Sequence, residues 1–396
     1  MNTDHNIVVL GAGYTGMLAA IRLAHRTRRM GTAITLVNPS PRFTERLRMH
    51  QIAAGQELAH HSIPELLDGT GVVFAQGYAT RIDTGHRTVT VAGGEGVTEL
   101  AYDTLVYALG SSTDTSVVPG ADVHAFTLND PRTAREFSRR LAELDAAAGT
   151  VTVCGGGLTG IEAAAEIAES HPGLKVTLIS RDVPGSMMGD KARAYLHAAL
   201  ARLGVTMRVG VGVGKVLPDA VELDDGELVA SDLCLWTTGV RVPDLAARSG
   251  IEVDAKGRVV VDAMLRSRSH PEIVAIGDAA AARQTWGEIH GTCQSGLPTA
   301  AYAADSITRR LRGKKVKHFR FGYFHQPVSI GRKDAVIQFT RNDDTPGRFF
   351  LTGRAAVRYK EAVSSSTIST FRMSRKFNTV VTLSKGGRVT RKPYDA

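Results

Sequence analysis

NIVVLGAGYTGMLAA, residues 6–20, decides the fold. Residues 6–10 read as a short buried strand, and a glycine-cornered turn follows at once: Gly11, Ala12, Gly13, Tyr14, Thr15 and Gly16. An alanine- and leucine-rich helix then runs to about His25, and residues 33–37 (AITLV) form a second strand. Each glycine has its own task in such a unit. Gly11 permits the tight turn, Gly13 lets backbone N–H groups approach a pyrophosphate, and Gly16 lets the helix pack close to the strand. Tyr14 and Thr15, inside the turn, count with them as candidate cofactor contacts.

The whole pattern recurs further along. Residues 150–154 are a strand, Gly155, Gly156, Gly157, Leu158, Thr159 and Gly160 the turn, 161–169 a helix and 175–179 (KVTLI) the next strand. Gly155, Gly157, Thr159 and Gly160 are the second set of candidate contacts. A lone G-x-G-x-x-G is a weak signal, but two copies framed by strands and helices imply two dinucleotide sites. A resident flavin and a diffusing nicotinamide fit that pairing, because a flavin accepts a hydride and passes electrons onward one or two at a time.

Three more strand ends support this order. Residues 102–110 (YDTLVYALG) close on Ala108 and Gly110, and residues 233–239 (LCLWTTG) close on Gly239. Residues 272–278 (EIVAIGD) end on Gly277 and Asp278, whose carboxylate either faces ribityl hydroxyls or N-caps the alanine-rich segment after it.

Composition sets the outer limits. With 396 residues, 43% hydrophobic and 22% charged, the chain has ample core for two or three domains. No stretch reaches the roughly 18 to 20 apolar residues of a membrane span, and the polar N-terminus is unlike a signal peptide, so the expected location is cytoplasmic. Cys154, Cys234 and Cys293 lack Cys-x-x-Cys or Cys-x4-Cys spacing, which speaks against a zinc site or a vicinal redox dithiol and for buried packing. The net charge of +9 is a C-terminal property: residues 315–396 carry 17 Lys and Arg against 5 Asp and Glu, and the remaining residues 31 against 34. Such a basic end suits an anionic partner or a solvated face.

From about Phe319 the pattern turns to β-branched runs at 328–330, 335–340 and 348–351, then to a helix over 355–377. On a helical wheel Ala355, Tyr359, Ala362, Val363, Met373 and Phe377 share one face, while Arg354, Arg358, Arg372 and Lys376 lie on another. The polar centre at 364–367, and Ile368 and Phe371 off that stripe, favour packing on the protein's own body or a second subunit over lying on an anionic membrane. Nucleic-acid binding is disfavoured, since no aromatic-and-basic recognition motif accompanies the charge.

With both glycine turns and the Gly-Asp strand end in place, residues 5–340 resemble the two-dinucleotide-binding-domain flavoproteins, the pyridine nucleotide-disulphide oxidoreductase class. Within it the chain is similar to the branch without a redox disulfide: type II NADH:quinone oxidoreductases, ferroptosis suppressor protein and apoptosis-inducing-factor-like reductases. The resemblance implies an α/β fold of two Rossmann-type three-layer domains plus a small α+β C-terminal domain. It divides the chain into an FAD-binding domain in two parts (1–113 and 255–314), an NAD(P)H-binding domain (114–254) and a basic module (315–396). It assigns Gly11, Gly13 and Gly16 to the FAD pyrophosphate, Gly277 and Asp278 to the ribityl chain, and Ala108 and Gly110 to the flavin nucleotide. Ala79 joins the cofactor contacts on the same basis. Gly155, Gly157 and Gly160 go to NADH or NADPH, with Gly239 beside them. Glu162 is the implied catalytic residue, orienting the hydride donor; otherwise its charge complements the first helical turn. Arg48 and Gln51, in a stretch that runs beside the flavin in relatives, are contacts or members of an amphipathic surface helix.

Three departures matter. Asn38 replaces the acid that usually meets the adenosine ribose of FAD. Ser180 and Arg181 stand where an acid would select NADH; this pair either holds a 2′-phosphate, favouring NADPH, or Arg181 is a solvated loop charge. The glutamines that quinone-reducing relatives carry after Pro298 are absent, which leaves a helix start near Pro298 as the stabiliser of a reduced flavin. The implied activity is an NAD(P)H dehydrogenase acting by ping-pong on a quinone-like acceptor, with oxygen or a small redox protein as the alternative acceptor. A regulatory flavoprotein, dimeric and switched by nucleotide, is the rival reading.

Overall fold

The computed structural model describes residues 5–377 and 385–394. Two five-stranded parallel sheets of the same design dominate it. In the first, Ile273–Ala275, Thr104–Tyr107, His5–Leu10, Thr32–Asn38 and Val73–Gln76 are neighbours in that order. In the second the order is Ala125–Phe126, Leu233–Trp236, Thr150–Cys154, Lys175–Ser180 and Thr206–Val209. Each central strand therefore pairs in register with the strand after its helix, as Leu10 with Val37 and Cys154 with Ile179. The inner strand residues 7–10, 105–107 and 233–236 are buried on both faces, which removes the alternation a half-exposed sheet would show.

Helix α1 (Tyr14–Thr27) and helix α3 (Leu158–Ser170) follow the two glycine turns; helix α2 (Met49–Ala53) lies between them in sequence. Helix α4 (Cys293–Leu311) packs along α1, where Arg22 and Arg26 share Asp305 at 2.9 and 2.6 Å. Strands His325–Ile330, Asp334–Thr340 and Pro346–Thr352 form an antiparallel sheet, and helix α5 (Gly353–Ser374) crosses it. The expected β-branched runs thus lie inside these three strands.

Two expectations shift. Residues 245–251 already pack in the first core, where Leu245, Ala246 and Ile251 are buried, so the chain leaves the second sheet before residue 254. The paired two-residue strands Ser112–Thr113 and Val240–Arg241 mark the two crossings between the units. Helix α5 also buries a different face from the apolar stripe. Ala356, Ser364, Thr367, Ile368, Phe371 and Ser374 are its buried residues, whereas Met373 and Phe377 are 48% and 65% exposed. Short hydroxyl side chains permit close approach of helices, and Phe371 anchors the contact edge-on to Phe43 at 5.3 Å. The C-terminal module is thus welded to the body. Residues 378–384 and 395–396 of the expected basic module lie outside the described residues.

Candidate active site

Both glycine-turn helices begin without a side-chain cap, on Gly13 and on Gly157. Where a side chain does cap a helix here, as Asp130 caps Pro131–Asp145, it occupies the first-turn N–H groups. Bare first-turn N–H groups are a ready anion site. Close packing explains the other glycines. A Cβ on Gly16 would stand 1.7 Å from the Gly11 carbonyl oxygen, and one on Gly160 would stand 1.8 Å from that of Gly155. Gly11 adopts φ +93° under the Ala108 carbonyl, and Gly155 adopts φ +122° against Thr237. A Cβ on Gly13 or Gly157 would meet nothing within 4 Å, so the space above each turn is open. These turns fit a dinucleotide pyrophosphate.

The first site gathers at the carboxyl ends of its strands, where open parallel sheets bind ligands. Asn38 Oδ1 accepts the Ala12 N–H at 3.0 Å, which fixes the turn and leaves a second lone pair for a hydroxyl. Gly77 donates to the Asn38 carbonyl, which brings the strand carrying Ala79 to the same edge. Asp278 accepts the Ser111 hydroxyl at 2.6 Å beside Gly110. It lies in a single 3-10 turn, Gly277–Ala279, and the next residues are strand, so the N-cap alternative is overturned. Thr15 packs its methyl on Gly277 and Gly296. The Tyr14 ring is buried edge-on to Phe43 at 5.2 Å, so only its backbone faces the turn.

Pro298 requires correction. Helix α4 starts at Cys293, capped by Thr292, which exchanges hydrogen bonds with Ser295, and Pro298 lies inside it. The free first-turn amides therefore belong to residues before Pro298. Gln294, in that turn, clamps Phe324 N and His325 O at 2.9 and 2.8 Å. Arg48 is also displaced. It pairs with Glu361 of α5, while Arg46, which the sequence did not single out, donates to Ser111 O at 2.6 Å beside Gly110. Gln51 is buried on α2.

In the second site Glu162 is 6% exposed. Its Oε1 accepts Ser329 N and Ser329 Oγ at 3.0 Å each and the Lys360 ammonium at 2.7 Å; its Oε2 lies 3.8 Å from His50 Nδ1. Burial pushes this carboxyl up, but Lys360 and the Ser329 bonds outweigh it and hold it below its ordinary value. Burial pushes His50 down to about 4, so at neutral pH it is uncharged and Lys360 is the partner that keeps Glu162 ionised. His325, bonded to Tyr359 Oη at 2.8 Å, is likewise driven by burial to about 4. The helix-dipole alternative for Glu162 thus gives way to a specific buried ion pair. Lys360, His50 and Ser329 come from distant segments, and no local pattern marks them.

Ser180 is buried against Gly156, close enough that a Cβ on that glycine would stand 2.2 Å from its Oγ; Arg181 is exposed, its Nε beside Gly212. Gly239, at φ +79°, turns the chain back toward Asp114. Thr159 is exposed in the first turn of α3. The two strands bring Cys154 and Cys234 together with Sγ atoms 3.7 Å apart, a pairing that sequence spacing concealed. Both are buried free thiols, packed with Ile179 and Trp236. The side chain of Cys293 lies outside the described set. A cavity of about 530 Å³ lies at the opposite, amino edge of the first sheet, lined by His5, Asp103, Glu272 and Arg310, and is not part of either site.

Comparison with known proteins accords with this geometry. An NADH dehydrogenase-like protein of Mycobacterium tuberculosis is 31% identical over 350 residues, covering 83% of this chain and 86% of the relative. The demethylphylloquinone reductase of Synechocystis is 27% identical over 347 residues, covering 84% and 86%. The crystal structure of the sulfide:quinone oxidoreductase of Aquifex aeolicus superposes with a TM-score of 0.79 at 21% identity, covering 93% and 92%, which establishes the shared fold. The pyridine nucleotide-disulphide oxidoreductase profile matches residues 5–306, and the chain belongs to that family.

Proposed function

We infer that this oxidoreductase is an FAD-dependent NAD(P)H dehydrogenase that delivers its electrons to a quinone. The observation that carries the reading is the buried Glu162–Lys360 pair at the start of α3, one turn beyond an uncapped glycine turn. Relatives named as an NADH dehydrogenase-like protein and a demethylphylloquinone reductase support the donor and acceptor classes. FAD, when bound, supplies the hydride-accepting chemistry. Gly11, Gly13 and Gly16 would hold its pyrophosphate, and Asp278 and Asn38 its hydroxyls. Gly155, Gly157 and Gly160 would hold NAD(P)H. Glu162, fixed from three sides, would orient the nicotinamide amide, and Lys360 would keep that carboxylate ionised in a site from which water is excluded.

Rapid mixing with NADH under anaerobic conditions, followed by a quinone panel, tests this. Bleaching of the flavin within seconds and reoxidation by a quinone faster than by air is the expected result. Reoxidation by air alone would leave the activity without its acceptor.

Of Ser180 and Arg181, Arg181 would be the one to meet a 2′-phosphate, since it is exposed whereas Ser180 packs against Gly156. Arg181→Ala should raise KM for NADPH about tenfold, the value of one charge-assisted hydrogen bond, and leave KM for NADH within about twofold. Equal effects on both nucleotides would remove Arg181 from selection.

Among the described residues no helix is long and apolar enough to cross a membrane. The outward face at the end of α5 carries exposed Arg372, Met373, Lys376 and Phe377, which suits peripheral contact with an anionic bilayer. Sedimentation with vesicles of anionic lipid should carry the protein down, and Phe377→Ser with Lys376→Glu should leave it in the supernatant. Equal sedimentation with neutral vesicles would contradict this contact.

A further inference from the structure

Ser180 ends its strand without a carboxylate, yet an acidic turn lies beside it. Between strands Thr206–Val209 and Leu233–Trp236 of the second sheet, the chain inserts a small antiparallel sheet of Val213–Val216, Ala220–Leu223 and Leu228–Ala230. The last two of these strands are joined through Asp224, Asp225, Gly226 and Glu227, where Gly226 N donates to Leu223 O at 3.0 Å and Leu223 N donates to Glu227 O at 2.8 Å. Three acids thus share one tight turn, and the fold decides where that turn lies.

Backbone bonds tie it to the carboxyl edge of the second sheet. Gly210 N donates to Ser180 O at 3.0 Å. Two residues on, Asp224 N donates to Gly212 O and Gly212 N donates to Asp224 Oδ2, each at 3.0 Å. A Cβ on Gly212 would stand 2.7 Å from Asp224 Oδ2 and 3.1 Å from Arg181 Nε, so a carboxylate and a guanidinium flank the same bare Cα. The two do not pair with each other, and among the described residues neither the Arg181 guanidinium nor Asp224 Oδ1 has a hydrogen bond. Both residues are exposed. The other acids of the turn are engaged: Glu227 pairs with Arg208, which lies in register with Ile179, and Asp225 Oδ1 accepts Glu227 N at 3.0 Å.

We propose that Asp224 is a specificity-determining residue of the nucleotide site, whose carboxylate accepts the ribose 2′-hydroxyl of NADH and repels the 2′-phosphate of NADPH. The inference rests on the reading of residues 155–160 as the NAD(P)H cradle. In a sheet of this design the adenosine ribose is met at the end of the strand that follows the glycine-turn helix, and an acid there bonds the 2′-hydroxyl. Here that end is Ser180, which packs against Gly156 and carries no charge. The place left without an acid in sequence is supplied with one in space, from a turn more than forty residues away. Arg181 attracts a 2′-phosphate and Asp224 opposes it from the other side of Gly212, so the preference of the site is a balance of the two charges. A phosphate dianion close to a carboxylate loses about tenfold in affinity even in water, and a hydroxyl bonds a carboxylate more strongly than a neutral amide.

Calorimetric titration of the flavin-loaded protein with NAD+ and with NADP+ tests this without turnover or any acceptor. Asp224→Asn keeps an oxygen for Gly212 N, so the turn stays tied, but it removes the charge. It should bind NADP+ about tenfold tighter and NAD+ about threefold weaker than wild type. Asp225→Asn, one residue along the same turn, should change both affinities by less than about twofold, because solvent and salt screen a charge that touches no ligand. Adding Arg181→Ala to Asp224→Asn should take back the gain for NADP+ and leave NAD+ where Asp224→Asn put it. Opposite signs for the two nucleotides mark contact with the 2′ group, since a loosened turn would weaken both. An NADP+ affinity that is unchanged or lowered in Asp224→Asn, or raised equally by Asp225→Asn, would overturn the assignment of Asp224 while leaving the cradle in place. A wild type that binds neither nucleotide would instead sink the reading of the cradle, and this assignment with it.

Discussion

Gly13→Ala is expected to give a protein that folds normally and purifies with little or no flavin, whereas Gly16→Ala loses both flavin and stability. The contrast comes from what each new methyl group would meet. At Gly16 it would stand 1.7 Å from the Gly11 carbonyl oxygen, with the backbone of that turn unable to give way without moving the strand end at Ala108. Overpacking of this kind costs about 1–3 kcal/mol and here distorts the turn as well. At Gly13 the backbone is extended, with φ −71°, so alanine is tolerated, and no protein atom lies within 4 Å. The methyl group then occupies only space that a pyrophosphate would need. Apoprotein urea melts should place Gly13→Ala within about 0.5 kcal/mol of wild type. Flavin titration should show affinity weakened about ten- to a hundredfold, the equivalent of a similar steric cost at the ligand. Unchanged flavin content in Gly13→Ala would mean that this turn is not the cradle.

The second large effect is expected at Lys360. Lys360→Met leaves Glu162 buried with its Ser329 bonds and no cation, and stranding a buried charge costs about 3–5 kcal/mol. The sign of the pH dependence follows from the direction of the Glu162 shift. In wild type the carboxyl is held below its ordinary value, so its contribution is present above the unfolded value and is lost as pH falls through the lower folded value. In Lys360→Met burial is opposed only by the Ser329 bonds and His50, and the folded value rises. That variant should therefore lose stability as pH rises, with its deficit largest at pH 8 and smaller at pH 5. Glu162→Gln combined with Lys360→Met should recover most of the loss, because an amide can keep one Ser329 bond without carrying charge. Both single variants should slow flavin reduction by about a hundredfold or more if Glu162 aligns the donor. Denaturant melts at the two pH values read the pair; anaerobic rapid mixing reads its role. Equal deficits at both pH values would show that Lys360 acts by packing alone.

Much of the architecture was legible because its signals are local. The G-x-G-x-x-G spacing, the apolar strand before it and the small residues after it lie within about fifteen consecutive residues, and each has a backbone reason that holds in any surrounding. The strands at 325–330, 334–340 and 346–352 were visible for the same reason, through β-branched runs and intervening turns. Asn38 ends a strand and Gly277 and Asp278 closely follow one, so all three could be named from the strand runs together with the family resemblance.

Most of the departures concern partners far away in sequence. Hydropathy ranks serine and threonine as polar, so the face of α5 formed by Ser364, Thr367, Ile368 and Phe371 was passed over for a more apolar stripe that in fact reaches solvent at Met373 and Phe377. Close helix packing rewards small side chains as much as apolar ones. Pro298 marked a helix start by rule, yet the Thr292–Ser295 cap places the start five residues earlier. Arg48 and Arg46 are two residues apart, yet Arg48 pairs with Glu361 on α5 while Arg46 donates to the Ser111 carbonyl, a division that the local sequence does not show.

The amino-acid sequence on its own determined two nucleotide-binding units and the residues of their turns, since a tight turn and a close helix are demands on neighbouring residues. Tertiary structure alone decided the electrostatics: the ionised Glu162 and the neutral His50. Their charge states depend on desolvation and on Lys360, which reaches them only after the chain has closed on itself.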